Sequence, residues 1–462
     1  MPRCRFSFEP VGQGLFAHGR LACPGLAALR LVFDCGVSGF QGRLRDAIAE
    51  YKAEYSGPDV LVLSHLHDDH VSGVARLLEN HTCEAVILPY LSPLARAAAV
   101  AASESTDPSF LALAANPQAF FLEGNPPRAR RVVFVSDGGG EGSPEGNAGS
   151  DEPDGPQDDP EEPKDRERMI SILRRAIDAL GRAGPTPAAT AEGAVIETDD
   201  RLTHRLIPCW QFRFFVRDPV KPRARPVSDK VRAAWAGFET EVRRILGIPA
   251  GSEISSAALA KALKDKAKVE ELRTTYRQLG DLNANGLSVW VGRRTGGLGS
   301  TVLGLPAPSF LGSDNADTAV WVGKATPAGR IWHSVADTAG FSRNSGSGIL
   351  FTGDADFAEN GHDMAAHYKA EWPSTGVVQV PHHGSRHSWD DAVFRMLTES
   401  MPYPSFWPLN AGLLNRYGHP HQAVVRALNR SYRTILAANH EHAALSFDII
   451  AGPRRHMPPY IP

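Results

Sequence analysis

The chain has 462 residues, of which 42% are hydrophobic, 22% charged and 8% aromatic. This is the composition of an ordinary globular protein, and it excludes a wholly disordered or collagen-like chain. The 49 Lys and Arg residues against 52 Asp and Glu residues leave a formal net charge of −3. The chain therefore has no overall basic surplus for non-specific nucleic-acid binding, although a local basic groove is still allowed.

The cysteine count and the start of the chain indicate where the protein works. The five cysteines form no Cys-x-x-Cys pair, and their odd number argues against a disulfide framework. The first residues contain no apolar signal segment, and the Ala-rich run near 97–103 is too short and too weakly apolar to span a bilayer. We therefore expect a cytoplasmic protein with no membrane anchor.

Strands and helices are predicted to alternate in the first part of the chain. Strand-like stretches at Arg5–Val11 and Ala28–Phe33 predict a hairpin at a sheet edge. The helical spacing of apolar residues continues this pattern, with helices predicted over 42–54, 70–80 and 93–103, and buried strands over 58–65 and 85–89. This alternation is typical of an α/β protein.

The composition changes abruptly at Asp137. Residues 137–165 are rich in Gly, Pro and acidic residues, which predicts a disordered acidic linker because such a segment buries too little apolar surface to offset its ordering entropy. A mainly helical block follows, and a β-rich region resumes near Asn283. The elements predicted after the linker are helices over 167–183, 227–246 and 256–279, a strand over 205–216, and helices over 390–399 and 421–431.

Side chains typical of metal ligands follow the strand predicted over 58–65. His65, His67, Asp69 and His70 spell His-x-His-x-Asp-His. Residues i and i+2 at a strand end project to the same side, so His65 and His67 can converge on one cation. The turn into the next helix brings Asp69 and His70 towards a second cation. The alternative is a polar loop whose histidines cap a helix. Four possible ligands at this spacing, directly after a buried strand, favour a metal site over that alternative.

This motif resembles the signature of the metallo-β-lactamase fold superfamily. A second match is the strand Ile349–Phe351, which runs into Thr-Gly-Asp at the place where the family has a carboxylate that bridges two metals, here Asp354. The resemblance implies an α/β fold, a four-layer αβ/βα sandwich. We therefore expect the N-terminal half of this fold at 1–136 and its C-terminal half at 281–462. Between them we expect the linker at 137–165 and a mainly helical insertion at 166–280.

Shorter motifs narrow the resemblance to the metallohydrolase domain of ComEC-like competence proteins. In chain order they are Val11–Gly14, Phe33–Gly36, Asn283–Ser288, Val380–Ser385 and Asn415–His421. The likeness implies phosphodiester cleavage of DNA, RNA or a nucleotide. ComEC-like proteins usually carry this domain beside membrane-spanning segments, which we do not find in this sequence, so a DNA-uptake channel is not implied.

The remaining histidines are assigned from their neighbours. His382 and His383 should point in different directions; we favour His383 as the ligand, and His382 then positions substrate or donates a proton. His419 stands just before a predicted helix N-terminus, where backbone N–H groups attract phosphate, and is either the last ligand or the acid for the leaving group. Many superfamily members supply a turn histidine where this chain has His333 in a strand-like context, and we do not expect it to bind metal. Asp34 is expected to support a ligand.

We therefore predict a dinuclear metal-dependent hydrolase. The predicted metal ligands are His65, His67, Asp69, His70, Asp354 and His383, and the predicted catalytic residues are Asp69, His382 and His419. Nitrogen and carboxylate donors favour two divalent ions, Zn first and Mn or Fe as alternatives. Two such ions would lower the pKa of a shared water, and the resulting hydroxide would attack phosphorus or a carbonyl carbon.

Two alternatives stay open at this point. The first is hydrolysis of a carboxylic ester, thioester or lactam by the same metals. The second is a partner-binding module whose metal site is structural and whose block at 166–280 docks a protein. The favoured substrate is a nucleic acid or nucleotide, with no membrane partner.

Overall fold

The structure is a computed structural model. It describes residues 3–137, 163–180, 195–199, 203–217, 229–279, 286–293, 300–305, 322–326, 329–333, 348–401, 405–412, 415–431, 434–439 and 444–451. The predicted acidic linker at 137–165 lies almost wholly outside these residues. Its last residues, Pro163–Asp165, are described and form the start of a helix.

The described strands fall into two clusters along the chain. The first comprises β1 (Arg3–Phe8), β2 (Phe16–Ala22), β3 (Leu29–Cys35), β4 (Val60–Val62), β5 (Ala85–Pro89), β6 (Val132–Ser136), β7 (Val195–Asp199), β8 (Thr203–Ile207) and β9 (Trp210–Phe215). The second comprises β10 (Ser288–Arg293), β11 (Ser300–Leu305), β12 (Val322–Thr326), β13 (Gly329–His333), β14 (Gly348–Phe351), β15 (Thr375–Val378), β16 (Ser405–Asn410), β17 (Thr434–Asn439) and β18 (Leu445–Ala451).

The helices lie mostly between the strands. They are α1 (Gly42–Tyr55), α2 (Asp68–Val71), α3 (Val74–Leu77), α4 (Pro93–Ala102), α5 (Pro108–Ala115), α6 (Pro117–Leu122), α7 (Pro163–Leu180), α8 (Asp229–Leu246), α9 (Ser256–Ala262), α10 (Lys266–Leu279), α11 (Phe357–His367), α12 (Asp391–Ser400) and α13 (Gln422–Arg430). Within the described ranges, no helix is both long enough and apolar enough to cross a membrane.

Two large mixed sheets form the centre of the molecule. Among the described strands, the first sheet has the order β11-β18-β1-β2-β3-β4-β5-β6-β7 and the second has the order β17-β16-β15-β14-β10-β9-β8. Strands β3 to β7 pair in parallel in the first sheet, and β14 to β17 pair in parallel in the second. Each sheet therefore has a block of strands whose carboxyl ends lie along one edge, where loops carry functional residues in α/β folds.

The two sheets face each other across an apolar core. Phe33 of β3 stacks on Phe351 of β14 with ring centroids 4.7 Å apart, and Phe6 of β1 meets the same ring edge-on at 5.0 Å. Helices α1, α3 to α6 and α8 to α10 contribute to a second core on the outer face of the first sheet, and α11 to α13 contribute to a third core on the outer face of the second sheet. This is the predicted four-layer αβ/βα sandwich.

The block at 166–280 is less purely helical than we expected. Strand β7 extends the first sheet beside β6, and β8 and β9 extend the second sheet beside β10. The single strand predicted over 205–216 is instead this β8–β9 hairpin, because the chain turns at 208–209. The block thus contributes strands to both sheets, while the proposed domain boundaries themselves stay a prediction.

Several helices also differ from the periodicity reading. The helix predicted over 70–80 is two short helices, α2 and α3, and the one predicted over 256–279 is α9 and α10. Asp265 separates this second pair, because its carboxylate accepts a hydrogen bond from the backbone N–H of Ala267 and starts a new helix. The predictions missed α5, α6 and α11, although Asp107, Asn116 and Asp356 cap them with side-chain oxygens.

Candidate metal centre

The ends of four strands meet at one edge of the sandwich. In the first sheet, β3 carries Asp34 near its end, and the loop after β4 carries residues 65–70. In the second sheet, β14 is followed by Asp354, and β15 is followed by the short 3₁₀ turn Pro381–Gly384 with its two histidines. The parallel pairing of the strands within each sheet places these segments side by side.

Glycines allow the backbones at this edge to approach closely. A Cβ on Gly36 would lie 2.5 Å from the backbone nitrogen of His70, and a Cβ on Gly353 would lie 2.5 Å from Cβ of Ser64. Gly353 also has a φ of +53°, in the left-handed region that favours glycine. Gly36 thus lets the end of β3 lie against His70, and Gly353 lets the Asp354 loop lie against Ser64.

The structure brings all six predicted metal ligands into two overlapping groups. In each group, one ligand atom from every residue lies within 4.8 Å of the others. The groups are Asp69, His70, Asp354 and His383, and His65, His67 and Asp69. Asp69 belongs to both groups, whereas the sequence had placed it with the second metal alone.

The Asp354 carboxylate faces histidines with each of its oxygens. Its Oδ1 lies 3.0 Å from Nε2 of His70 and 3.6 Å from Nε2 of His383. Its Oδ2 lies 3.6 Å from Nε2 of His65 and 3.6 Å from Nε2 of His382. This is the placement expected of a carboxylate that joins two sites.

Hydrogen bonds fix the orientation of the two motif histidines that are most deeply buried. Nδ1 of His70 lies 2.8 Å from Oδ2 of Asp34. Ser64 donates its hydroxyl to the same oxygen at 2.6 Å, and its Oγ lies 2.9 Å from Nδ1 of His65. Because the Ser64 hydroxyl donates to Asp34, its oxygen accepts from His65, and Asp34 accepts from His70. Both Nδ1 atoms therefore carry the N–H, and both Nε2 atoms are directed inward.

His383 is oriented in the same way from the second sheet. Its Nδ1 donates to the backbone carbonyl of Asn410 at the end of β16, at 2.8 Å. Its Nε2 then faces Asp69, whose Oδ2 lies 3.4 Å away. Three histidines from two sheets thus present the same ring nitrogen to one small volume.

These inward atoms fit a metal. Nε2 of His65, His70 and His383 and Oδ1 of Asp354 are buried and have no hydrogen-bond partner among the described residues. Buried polar atoms are rarely left in this state, because each one costs free energy unless a ligand, water or ion satisfies it. The set of imidazole nitrogens and carboxylate oxygens suits a divalent transition metal or zinc. This His/Asp cluster can hold metal.

The ionisation of the cluster reflects its mutual charges. Burial alone would lower the pKa of His70, but the carboxylates of Asp354, Asp69 and Asp34 outweigh it and raise that pKa well above its usual value. Burial would raise the pKa of Asp354, but His70, followed by His382 and His65, holds it well below its usual value. Without metal, protons on imidazole balance the carboxylates.

The remaining groups of the cluster follow the same logic. Burial would lower the pKa of His383, yet the nearby carboxylates of Asp69 and Asp354 raise it. Burial and the neighbouring His70 both lower the pKa of His65. His65 is therefore neutral at neutral pH before any cation arrives.

The predicted catalytic histidines lie beside the cluster and belong to neither ligand group. His382 places Nδ1 2.6 Å from Oγ of Ser388, and both it and His383 have positive φ values, +47° and +52°. Such backbone conformations are strained for residues other than glycine and are common at functional sites. His419 accepts a hydrogen bond on Nδ1 from the Gln13 amide at 3.3 Å. Burial and the nearby His383 and His382 lower its pKa to about 4.

Sequence reasoning missed several supporting residues. Ser64 precedes the motif directly, and Ser388 follows the two adjacent histidines by a few positions, so proximity was the available signal. Asn410 gave no signal, because it acts through its backbone carbonyl from a distant strand. His333 ends strand β13, as its sequence context suggested, and its side chain lies outside the described part of the structure.

A wide cleft of about 1450 Å³ opens next to the cluster. Gln13 and Asp68 line it on the side of the metal-ligand residues, and Tyr417, whose ring stacks with His419 at 5.8 Å, lines it further out. Phe40 and Tyr417 are large apolar side chains with 79% and 45% exposure. The cleft therefore lies beside the cluster: Asp68 of its lining precedes Asp69 in the chain, and Gln13 of its lining donates to His419.

Comparison with known families agrees with this geometry. Residues 29–155 match the metallo-beta-lactamase superfamily. No curated protein matches the chain. Members of this superfamily are generally metal-dependent hydrolases, and the matched segment contains Asp34 and the whole 65–70 motif. Asp354 and His383 lie beyond the matched segment, and they are assigned to the cluster because their ligand atoms lie within 4.8 Å of those of Asp69 and His70.

Proposed function

We propose that this protein is a dinuclear metal-dependent phosphodiesterase or nuclease that acts on nucleic acid or a nucleotide. The observation that carries the proposal is the Asp354 carboxylate, which turns one oxygen to His70 and His383 and the other to His65 and His382. The unpartnered inward atoms around it support a pair of cations rather than a structural polar network.

The ligand groups divide between the two proposed ions. The first group consists of His65, His67 and Asp69, and the second consists of Asp69, His70, Asp354 and His383. Asp69 belongs to both groups, and Oδ2 of Asp354 links the second group to the first because it lies 3.6 Å from Nε2 of His65. Divalent ions bound there, zinc first by donor type, polarise a scissile phosphoryl group and lower the pKa of water. Asp34, Ser64 and Asn410 keep the histidine Nε2 atoms in place.

Three side chains have proposed roles in the reaction. Asp69 contacts both ligand groups, so its carboxylate orients the attacking water. His382 lies at the rim of the cluster and contacts the substrate, because Ser388 holds its Nδ1 and its Nε2 points to Asp354. His419 is neutral at pH 7 and accepts from Gln13 on Nδ1, so its Nε2–H donates to a phosphoryl or leaving-group oxygen.

The cleft supports a nucleotide or single strand over a duplex. Its basic lining residues are Arg45, Arg76, Arg128 and Arg416, and its acidic lining residues are Asp68, Glu79, Glu104 and Asp107. This balance lacks the strong positive field that sequence-independent duplex binding requires. Exposed aromatic rings such as Phe40 and Tyr417 instead offer stacking surfaces for unpaired bases.

A substrate panel tests the proposal. The metal-loaded full chain is assayed on a bis-aryl phosphodiester reporter, single-stranded DNA, cyclic nucleotides, a thioester and a β-lactam, with Asp354→Asn as the inactive control. We expect turnover of the reporter and of at least one nucleic-acid or nucleotide substrate, with loss in the variant. Turnover of the thioester or lactam alone would replace the proposal by acyl hydrolysis, and turnover of none would contradict it.

A further inference from the structure

Helices α8 and α10 form one wall of the metal-ligand cluster. They pack on α4, whose alanines give a flat surface that lets them approach closely. A cavity of about 30 Å³ lies at this junction, and it is lined by His65, His67 and Asp354 on one side and by Trp235 and Tyr276 on the other. A space of this size holds one or two atoms the size of a water molecule.

Polar contacts fix this wall to the sandwich. Nε of Arg273 on α10 donates to the backbone carbonyl of Ser103 at 2.9 Å. Arg96 on α4 donates to the hydroxyl of Ser256, the first residue of α9, at 2.6 Å. The wall is therefore a fixed part of the site, in contrast to a lid that opens freely.

The indole of Trp235 is exceptional among the described tryptophans. It is 6% exposed, and its Nε1–H has no hydrogen-bond partner among the described residues. Among the tryptophans whose side chains the structure describes, the other five all donate their indole N–H, and these are Trp210, Trp290, Trp372, Trp389 and Trp407. A buried donor without an acceptor is unfavourable unless a water or ligand supplies one, and Trp235 lines the small cavity beside His65 and Asp354.

We propose that Trp235 contacts the substrate and donates its Nε1–H to a phosphoryl oxygen held beside His65 and Asp354. This inference rests on the proposed phosphodiesterase function and adds a specificity element to it. The small cavity admits an oxygen atom and excludes a base or sugar, so bulkier parts of the substrate extend towards the cleft at Gln13 and Tyr417. The block at 229–279 thereby limits which groups fit on the His65 side.

The test compares Trp235→Phe with Trp372→Phe in the full chain. Trp235→Phe keeps a ring in the wall and removes only the unpartnered N–H. Trp372 is also buried, and its N–H donates to the carbonyl of Ala365 on the outer face of the second sheet. The measurements are binding of inorganic phosphate to the metal-loaded protein by calorimetry, kcat/KM on the phosphodiester reporter, and the Tm of the metal-free protein.

The two variants should show opposite patterns. For Trp235→Phe we expect phosphate affinity and kcat/KM each to fall about tenfold, as for loss of a hydrogen bond to a charged group, with no decrease in Tm. For Trp372→Phe we expect a lower Tm and unchanged phosphate affinity. Unchanged phosphate affinity in Trp235→Phe, or no phosphate binding by the wild type, overturns the inference.

The same experiment separates this inference from the proposed function. If the wild type binds phosphate but hydrolyses no phosphodiester, the proposed function fails. The phosphate affinities of the two variants then still decide whether Trp235 contacts the ligand.

Discussion

Asp34 accepts a hydrogen bond from Nδ1 of His70 at 2.8 Å, and both side chains are completely buried. The same carboxylate accepts from the backbone N–H and the hydroxyl of Ser64, each at 2.6 Å. One aspartate of β3 thus orients the beginning and the end of the metal-ligand motif. Because burial raises the pKa of Asp34, these hydrogen bonds and the charge of His70 are what keep its ionised form favourable.

The first prediction concerns this supporting carboxylate. Asp34→Asn replaces one accepting oxygen by an N–H₂ group, so the contacts with Ser64 and His70 cannot all form. We expect metal affinity to fall by about 10- to 100-fold, the usual effect of losing such a partner. The metal affinity is measured by letting the protein compete with a chromophoric chelator for zinc.

Asp59 offers a matched control for this variant. It is also buried, but it accepts from Arg30 at a distance from the cluster. Asp59→Asn should lower the stability and leave metal affinity unchanged. Equal metal affinity in wild type and Asp34→Asn would show that Asp34 does not orient a ligand.

The second prediction is that metal binding releases protons. Neighbouring carboxylates raise the pKa of His383 and raise that of His70 well above its usual value, so the His70 imidazole is positively charged in the metal-free protein at neutral pH. The low pKa values of Asp69 and Asp354 leave those groups already ionised. A cation must displace the histidine protons, so its affinity should fall as the pH falls.

Calorimetry in buffers with different ionisation enthalpies measures this release. We expect a net release of protons on zinc binding at pH 7. Identical apparent enthalpies in all buffers would contradict the assigned ionisation.

The third prediction tests the close approach of the two loops. Gly353→Ala places a Cβ 2.5 Å from Cβ of Ser64 in a left-handed backbone, so we expect destabilisation of about 2 to 4 kcal/mol. Gly25→Ala is the control, because Gly25 has a φ of +69° with nothing within 4 Å of the added Cβ. It should cost only about 1 to 2 kcal/mol. Urea unfolding measures the free energy of unfolding of the two variants. Equal decreases in the two variants would mean that the contact with Ser64 is readily relieved.

The six predicted ligands lie close together in the structure, whereas the predicted grouping of Asp69 differs from the one found there. The spacing of residues 65–70 after an apolar strand, and the Gly-Asp after another, were enough to select side chains that the fold brings together. The sequence assigned Asp69 to one metal only, whereas the structure places it in both ligand groups. The direction of its side chain depends on how the backbone enters α2, and the spacing of apolar residues does not specify that direction. The role of the Asn410 carbonyl depends on the pairing of β15 with β16, a non-local contact.

The fold was predicted to a similar depth. Runs of apolar residues identified β3, β4, β5 and β14 of the parallel blocks and most helices, and their alternation indicated the α/β class. The four-layer arrangement followed from the family resemblance, and β6, β7, β16 and β17 were not predicted individually. The strand content of the block at 166–280 was underestimated because β7 and β8 are short and become strands through pairing with the sheets. The local sequence pattern did not determine whether these segments form strands, and their pairing with the two sheets did.

The fourth prediction separates substrate contact from metal binding at His419. Its position outside both ligand groups and its hydrogen bond to Gln13 indicate that it contacts substrate. We expect His419→Ala to lower kcat/KM by about 100-fold, within the usual range for a proton-transfer or hydrogen-bonding group, with unchanged metal content. Loss of a metal equivalent in this variant would instead make His419 a ligand.

The central claim is that residues from both sheets hold two cations around Asp354, and metal stoichiometry tests it most directly. The full chain and Asp354→Asn are loaded with excess zinc, freed of unbound metal by gel filtration and analysed by mass spectrometry, with circular dichroism to verify folding. The account predicts about two equivalents per wild-type chain and at most about one in the folded variant. Wild-type protein that retains no metal, or a variant that retains as much as the wild type, would contradict it.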